Sequence, residues 1–390
     1  MLQKKKELLF VCYGLGIGGI EKCLVNLLNV LPEEDFSVDV LLMNPQYTMK
    51  PQIRRNVYFY DEFQYILYSG GAMAQIKKRG GVLRNAAKML PYVLFHFMDN
   101  HGGNSWKLFK SLPKQYDVAV AYSQNGMAPY YVIDKVKADR KVMWYHNGAY
   151  ERTGKDYDLD REYYGKFDYL VAVSNDCAAV LKEKFEFAKE KIIVLRNICD
   201  RQSIRENAEA FLPERYDEAR KHIVTVGRMT REKGADLALE ACRQLYDAGA
   251  DICWHWVGDG DRSESIRVRA EELGLQDRFL LEGNQENPYP FIRQADIYVQ
   301  PSYYEAYSTT ITEAKVLERP IVTTDVGGMR DQLTDGETGL IVPIDASAIA
   351  SAVKRLLDDS AMRECFSKRL QQENYETDAV LEQYRQTVFA

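Results

Sequence analysis

Residues 10–22, FVCYGLGIGGIEK, run from an apolar stretch through Gly14, Gly16, Gly18 and Gly19 into the helical pattern IEKCLVNLLNVL of residues 20–31. A strand that ends in a glycine turn and feeds a helix is the unit of a parallel α/β sheet. Outward from it the pattern repeats. Short apolar runs follow at FSVDVLLM (36–43), VYFYDEF (57–63), DVAVAYS (117–123), KVMWYHN (141–147), YLVAVS (169–174) and KIIVLRN (191–197), mostly with helical stretches between them. Residues 196–222 turn polar and charged. The alternation then restarts at HIVTVG (222–227), ICWHWVG (252–258), FLLEG (279–283), DIYVQPS (296–302), PIVTTD (320–325) and GLIVP (339–343). Continuous apolar strands with helical crossovers predict doubly wound parallel sheets. We therefore expect two α/β domains, 1–197 and 198–390, with a hinge near Asn197–Asp200. Residues 346–390 read as helical, and the final helix, about 374–390, is expected to pack back on the first domain.

The 390 residues suit two domains, and a net charge of −6 argues against a general nucleic-acid binder. The N-terminal apolar run reads as a strand rather than a signal peptide, and no stretch reaches the ~18 apolar residues of a membrane span. The seven cysteines are scattered without a Cys-x-x-Cys, which disfavours a zinc site or disulfide framework and fits a reducing, cytoplasmic setting.

Gly14, Gly16 and Gly19 spell Gly-x-Gly-x-x-Gly, the pattern of dinucleotide binding. That reading needs an acid at the end of the second strand to hold the ribose. Asp39 stands at the right distance, yet Val40–Met43 continue the strand past it, and the strand end at Asn44–Pro45 carries no acid. Two readings remain beside the NAD(P) one: a tight turn without a ligand, or a loop that lets another phosphate-bearing ligand approach a helix N-terminus.

The second half bears on the choice. In VTVGRMTREKGADLALEA (224–241), Arg228 leaves a strand end and Lys233 begins the next helix. Two cations at a sheet mouth suit a diphosphate, with Arg as a directional donor and Lys as a point charge; a solvated surface loop is the plainer alternative. In QPSYYEAYSTTITEAKVLERPIVTTDVGG (300–328), Glu305 lies in a loop. Ser308, Thr309 and Thr310 open a helix with free backbone N–H groups for a phosphate, and Glu313 sits a turn into it, placed to accept both ribose hydroxyls.

With these motifs in this order, the chain resembles the retaining glycosyltransferases of family 4, with the GT-B fold. The resemblance rests on G-R-x-x-x-x-K-G at 227–234, E-x7-E at Glu305 and Glu313, GGIEK at 18–22, VGDG at 257–260, Gly283, VTTDVGG at 322–328 and DGETGLIVP at 335–343. It implies two facing Rossmann-like domains, the donor nucleotide-sugar held mainly by the second and the acceptor by the first. Carried over residue by residue, it implies Arg228 and Lys233 on the diphosphate and Glu313 on the ribose. Glu305 and His146 would lie near the donor sugar, Gly283 and Asn284 at the base, and Gly18 and Gly19 against the donor phosphates. On type alone, His146 could equally be a strand-end histidine bonded to backbone. Where many members read Glu-Gly-Phe-Gly, this chain reads Glu305–Ala306–Tyr307–Ser308, which stiffens the loop.

The expected activity is metal-independent retaining transfer of a sugar, most readily from a UDP-sugar, to a saccharide or lipid-linked saccharide hydroxyl in cell-surface polysaccharide synthesis. Asp158–Asp160 and Asp259–Asp261 form Asp-x-Asp pairs; the second reads as a tight turn rather than a metal site. The rival functions are an NAD(P)-dependent oxidoreductase and a non-catalytic nucleotide-sugar binding module. Residues 66–114 hold eight cations against the single acid Asp99, a net of +7. With the broad apolar surface of residues 82–98 they would suit an anionic membrane surface, and so a peripheral location; a core helix under a basic loop is the alternative.

Overall fold

The computed structural model of the chain describes residues 4–44, 46–60, 94, 95, 97, 98, 104–124, 126–217, 219–373 and 377–390. The chain divides into two compact units: Met1–Ile198 together with Asp378–Ala390, and Cys199–Thr377.

The first unit is built on β1 (Lys6–Cys12), β2 (Phe36–Leu42), β3 (Tyr58–Phe59), β4 (Gln115–Ala121), β5 (Lys137–Tyr145), β6 (Tyr169–Ala172) and β7 (Ile192–Val194), in the order β3-β2-β1-β4-β5-β6-β7. Every pairing is parallel. Leu8, Leu9, Phe10 and Val11 are fully buried although consecutive, because a sheet covered on both faces buries both sides of its strands. The crossover helices include α1 (Gly19–Val30), α2 (Ala128–Lys135), α3 (Gly154–Tyr164) and α4 (Asn175–Lys184). Strand order reverses between β1 and β4, the crevice where open sheets take ligands at their carboxyl ends.

The second unit begins with α5 (Arg201–Ala208) and continues through β8 (Lys221–Val226), α6 (Ala235–Asp247), β9 (Ile252–Val257), α7 (Ser263–Glu272), β10 (Phe279–Gly283), α8 (Tyr289–Gln294), β11 (Ile297–Gln300), α9 (Thr309–Val316), β12 (Ile321–Thr324) and β13 (Leu340–Val342). Helices α10 (Ala346–Asp358) and α11 (Ser360–Gln372) follow, after which α12 (Thr377–Gln386) returns the chain to the first unit. The sheet order is β10-β9-β8-β11-β12-β13, again all parallel. Trp254, Trp256, Leu239 and Val353 anchor the core on one side, while Val224, Tyr298, Ile311 and Leu317 belong to a second core cluster. This sheet reverses between β8 and β11, so the loops after Val226 and Gln300 share its ligand crevice.

The chain's last residues belong to the first unit. The Tyr384 ring lies 5.4 Å from Trp144, Phe389 lies 5.7 Å from Phe36, and the Tyr384 hydroxyl donates to the Arg196 carbonyl.

Two local expectations need correction. Lys233 does not begin α6; it ends a 3-10 turn, Arg231–Lys233, and Gly234 intervenes with φ +71°. Pro301's carbonyl lies where a Cβ on Gly234 would stand, so the chain turns through the left-handed region there and the helix starts one residue later. The Ser308 amide is not free either, as described below.

Of the basic segment, Lys77, Lys78, Arg79, Arg84 and Lys88, with residues 82–93, lie outside the described residues. Lys114 is engaged within the unit, pairing with Glu7 at 2.8 Å and Asp39 at 2.9 Å. Among the described residues no helix is long and apolar enough to cross a membrane.

Candidate functional site

The second unit brings Arg228, Lys233, Glu305 and the start of α9 to the carboxyl ends of β8 and β11. Lys233 Nζ donates to Glu305 Oε1 at 2.7 Å. Glu305 is 7% exposed, and the same oxygen accepts from Ser302 Oγ at 2.8 Å and Gln300 Nε2 at 3.1 Å. A lysine and two further donors on this oxygen offset the removal of the carboxylate from water. Gln300 in turn accepts from Tyr298 and from Thr310 Oγ1, which ties the β11 end to the first turn of α9. Arg228 is exposed, and among the described residues its guanidinium pairs with Glu232, at 3.3 Å, leaving it open toward solvent.

Ser308 caps α9, its hydroxyl accepting from the Ile311 amide. The expectation of a free Ser308 amide fails: Gln332 Oε1 accepts from it at 2.8 Å. Thr309 and Thr310 then carry the open donors of the first turn. Glu313 is the fifth residue of α9 and 2% exposed. Gly283 ends β10 with φ +66°, and its carbonyl accepts from Gly258. Asn284 Oδ1 accepts from the Asp259 amide at 3.1 Å, joining the two turns of the expected base pocket. Gln300, Ser302 and Gln332 went unnoticed in the sequence; only their buried contacts single them out.

Neither Asp-x-Asp pair is poised as a ligand set. The Asp259 carboxylate accepts from Ser263 and Gly260, and these bonds lower its pKa. Asp160 is fully buried between Tyr130, Tyr150 and Arg152. Among the described residues no group of three His, Cys, Asp or Glu side chains could hold a metal.

In the first unit, Gly18 caps α1 and Gly19 opens it; a Cβ on Gly18 would overlap the Glu21 carboxylate. The glycine turn lines a cavity of about 90 Å³ with Cys12, Tyr13, Glu21 and Tyr122, at the β1/β4 reversal. His146 follows β5. Its amide donates to Gln124, its ring lies 5.0 Å from Tyr122, and its Nε2 is closed to solvent with no partner among the described residues. Burial lowers its pKa to about 4, against a smaller opposing effect of a Tyr122 backbone hydrogen bond. Asp39 is 4% exposed and accepts from Lys114 and Tyr116, which commits the one acid on β2 to the core rather than to a ribose.

Known proteins resemble the chain in both of its units. The family described as Glycosyltransferase Family 4 matches residues 17–203, and Glycosyl transferases group 1 matches residues 207–373. The chain is 34% identical over 163 residues to the alpha-D-kanosaminyltransferase of Streptomyces kanamyceticus, covering 41% of this chain and 42% of that one. It is 25% identical over 210 residues to the Campylobacter jejuni N-acetylgalactosamine-N,N'-diacetylbacillosaminyl-diphospho-undecaprenol 4-alpha-N-acetylgalactosaminyltransferase, covering 53% and 55%. The chain thus spans about half the length of the curated relatives it matches. Among solved structures, Anabaena Alr3699/HepE in complex with UDP and glucose superposes with a TM-score of 0.72 at 15% identity, covering 99% of this chain and 100% of that one. The chain belongs to glycosyltransferase family 4, the group 1 glycosyl transferases, and its two parallel-sheet units are those of the GT-B fold.

Proposed function

We propose that the protein is a metal-independent, retaining glycosyltransferase that moves a sugar from a UDP-sugar to a hydroxyl of a lipid-linked saccharide, in cell-surface polysaccharide synthesis. The observation that carries the reading is the joining of Arg228, the Lys233–Glu305 pair and the α9 N-terminus at one sheet reversal. Departure of a nucleoside diphosphate develops negative charge on its oxygens, and fixed positive charge there lowers the barrier. Arg228 supplies a fork of donors. Lys233 spends one N–H on Glu305 and retains two. The incoming hydroxyl attacks on the leaving-group side and the diphosphate takes its proton, so no carboxylate becomes a covalent nucleophile. Three donors hold one Glu305 oxygen, which supports a binding role for it. A glycosyl adduct trapped on Glu305 would overturn this mechanism.

Two comparisons support the finer assignment: UDP is the ligand of the HepE structure, and a diphospho-undecaprenol saccharide is named for the Campylobacter relative. The basic segment 66–114 supports an acceptor met at an anionic, cytoplasm-facing membrane surface.

Thermal shift against UDP, GDP, ADP and NAD, first with a chelator and then with Mg²⁺, tests the donor assignment. A ligand at 100 times its dissociation constant adds about 2.7 kcal/mol of stability. The expected result is stabilisation by UDP with the chelator present, lost in Arg228→Ala and in Lys233→Ala. Stabilisation by NAD alone would sink the transferase reading, and a strict need for Mg²⁺ would remove its metal independence.

A further inference from the structure

The Gln332 side chain lies 4% exposed against the α9 N-terminus. Its Oε1 accepts from the Ser308 amide at 2.8 Å, and its Nε2 donates to the Ser308 carbonyl at 2.7 Å and to Thr312 Oγ1 at 3.1 Å. One primary amide therefore pairs with both backbone groups of a single residue, as a neighbouring strand would. The backbone of Gln332 is fixed independently: its amide donates to Met329, and its carbonyl accepts from Lys315 Nζ, which also pairs with Glu373 at 2.8 Å. The same segment grips the loop at a second point. Gly328 has φ +74°, and a Cβ there would land on the Ala306 carbonyl oxygen. Residues 328–332 thus hold Ala306 and Ser308, the two positions where many family members carry glycine.

We infer that Gln332 is a positioning residue for the donor diphosphate: it locks the Ser308 peptide so that the Thr309 and Thr310 amides point as a fixed pair. Glycines in this loop would leave the peptide free to rotate. Here Ala306 and Ser308 restrict it, and the amide pair sets the one orientation in which α9 presents its first turn. A buried amide is suited to this because it offers a donor and an acceptor at once. A carboxylate in its place would set an oxygen against the Ser308 carbonyl, whereas a protonated carboxyl would restore the donor–acceptor pair.

This inference rests on the proposed donor site, and its test separates the two. Calorimetric titration of UDP and of uridine is carried out on the wild type, Gln332→Glu and Gln332→Leu between pH 8 and pH 5.5. Absence of UDP binding to the wild type sinks the donor-site reading itself. With wild-type binding present, Gln332→Leu should weaken UDP at least tenfold and uridine less than threefold, because only the phosphate contacts depend on the amides. Gln332→Glu should be equally weak at pH 8 and regain affinity for UDP, relative to the wild type, as pH falls. Glu313 and Lys315 on α9, Glu373 at the end of α11, Arg201 and Arg205 on α5 and Glu318 just after α9 are among the charged groups near this helix, and all are common to the three proteins. Reversible regain also shows that the variant is folded. Wild-type affinity in Gln332→Glu at pH 8, equal loss of UDP and uridine, or no recovery at low pH would each overturn the role.

Discussion

His146 is half-buried, its Nε2 has no partner among the described residues, and burial lowers its pKa to about 4 from 6.5. A group whose folded pKa lies below its unfolded value favours the fold above the unfolded value, and that contribution is lost as pH falls through the window between the two. The stability of the first unit should therefore decline between pH 6.5 and 4, by up to about 3 kcal/mol from this residue. Hydrogen exchange of the β5 amides across that range should show the decline in the wild type, and a flatter profile in His146→Phe. An unchanged slope would mean that His146 is solvated and charged in the fold. The residue type and its place after a strand were legible in the sequence. Its surroundings were not, because they include Tyr122 and Gln124, more than twenty residues away.

At the scale of elements, the loops carry the site and the glycines set the loops. Gly234 adopts a conformation that side chains rarely take, and the Pro301 carbonyl fills the space a Cβ would need. Gly234→Ala should cost about 3 kcal/mol, combining left-handed strain with backbone overlap. It should also weaken UDP binding by shifting Lys233 away from Glu305. Urea unfolding and UDP titration of the variant check both; a loss below 1 kcal/mol would mean that the turn relaxes without strain. Element types were readable because apolar runs of strand length alternated with amphipathic helices of opposite period. Starts of helices were less so. Lys233 looked like a first helical residue, and only the approach of Pro301 forces the intervening turn.

At the scale of the whole chain, the last residues complete the first unit. Tyr384, Val388 and Phe389 are each at most 1% exposed, and Arg140 binds the carbonyls of Thr387, Val388 and Ala390. Deletion of residues 378–390 should destabilise the first unit by about 5 kcal/mol, from the area those side chains bury. The second unit should still be protected by UDP. Hydrogen exchange of β1 and β5, with and without UDP, reads the two effects in one sample; equal protection in full-length and truncated protein would show that the tail is dispensable.

The parallel α/β class, the strands described in both sheets and the family were all readable from the amino acids alone, because these depend on local periodicity and on short motifs in fixed order. So were Arg228, Lys233, Glu305 and Glu313 as candidates, since their chemistry is visible in single letters. Which of their neighbours matter emerged from folding. Lys233 pairs with Glu305 across 72 residues, Asp39 is claimed by Lys114 and Tyr116 rather than left for a ribose, and Gln332 closes on Ser308 from 24 residues away. Such pairings arise because polar groups removed from water must find partners wherever the fold brings them, and no local pattern records where that will be.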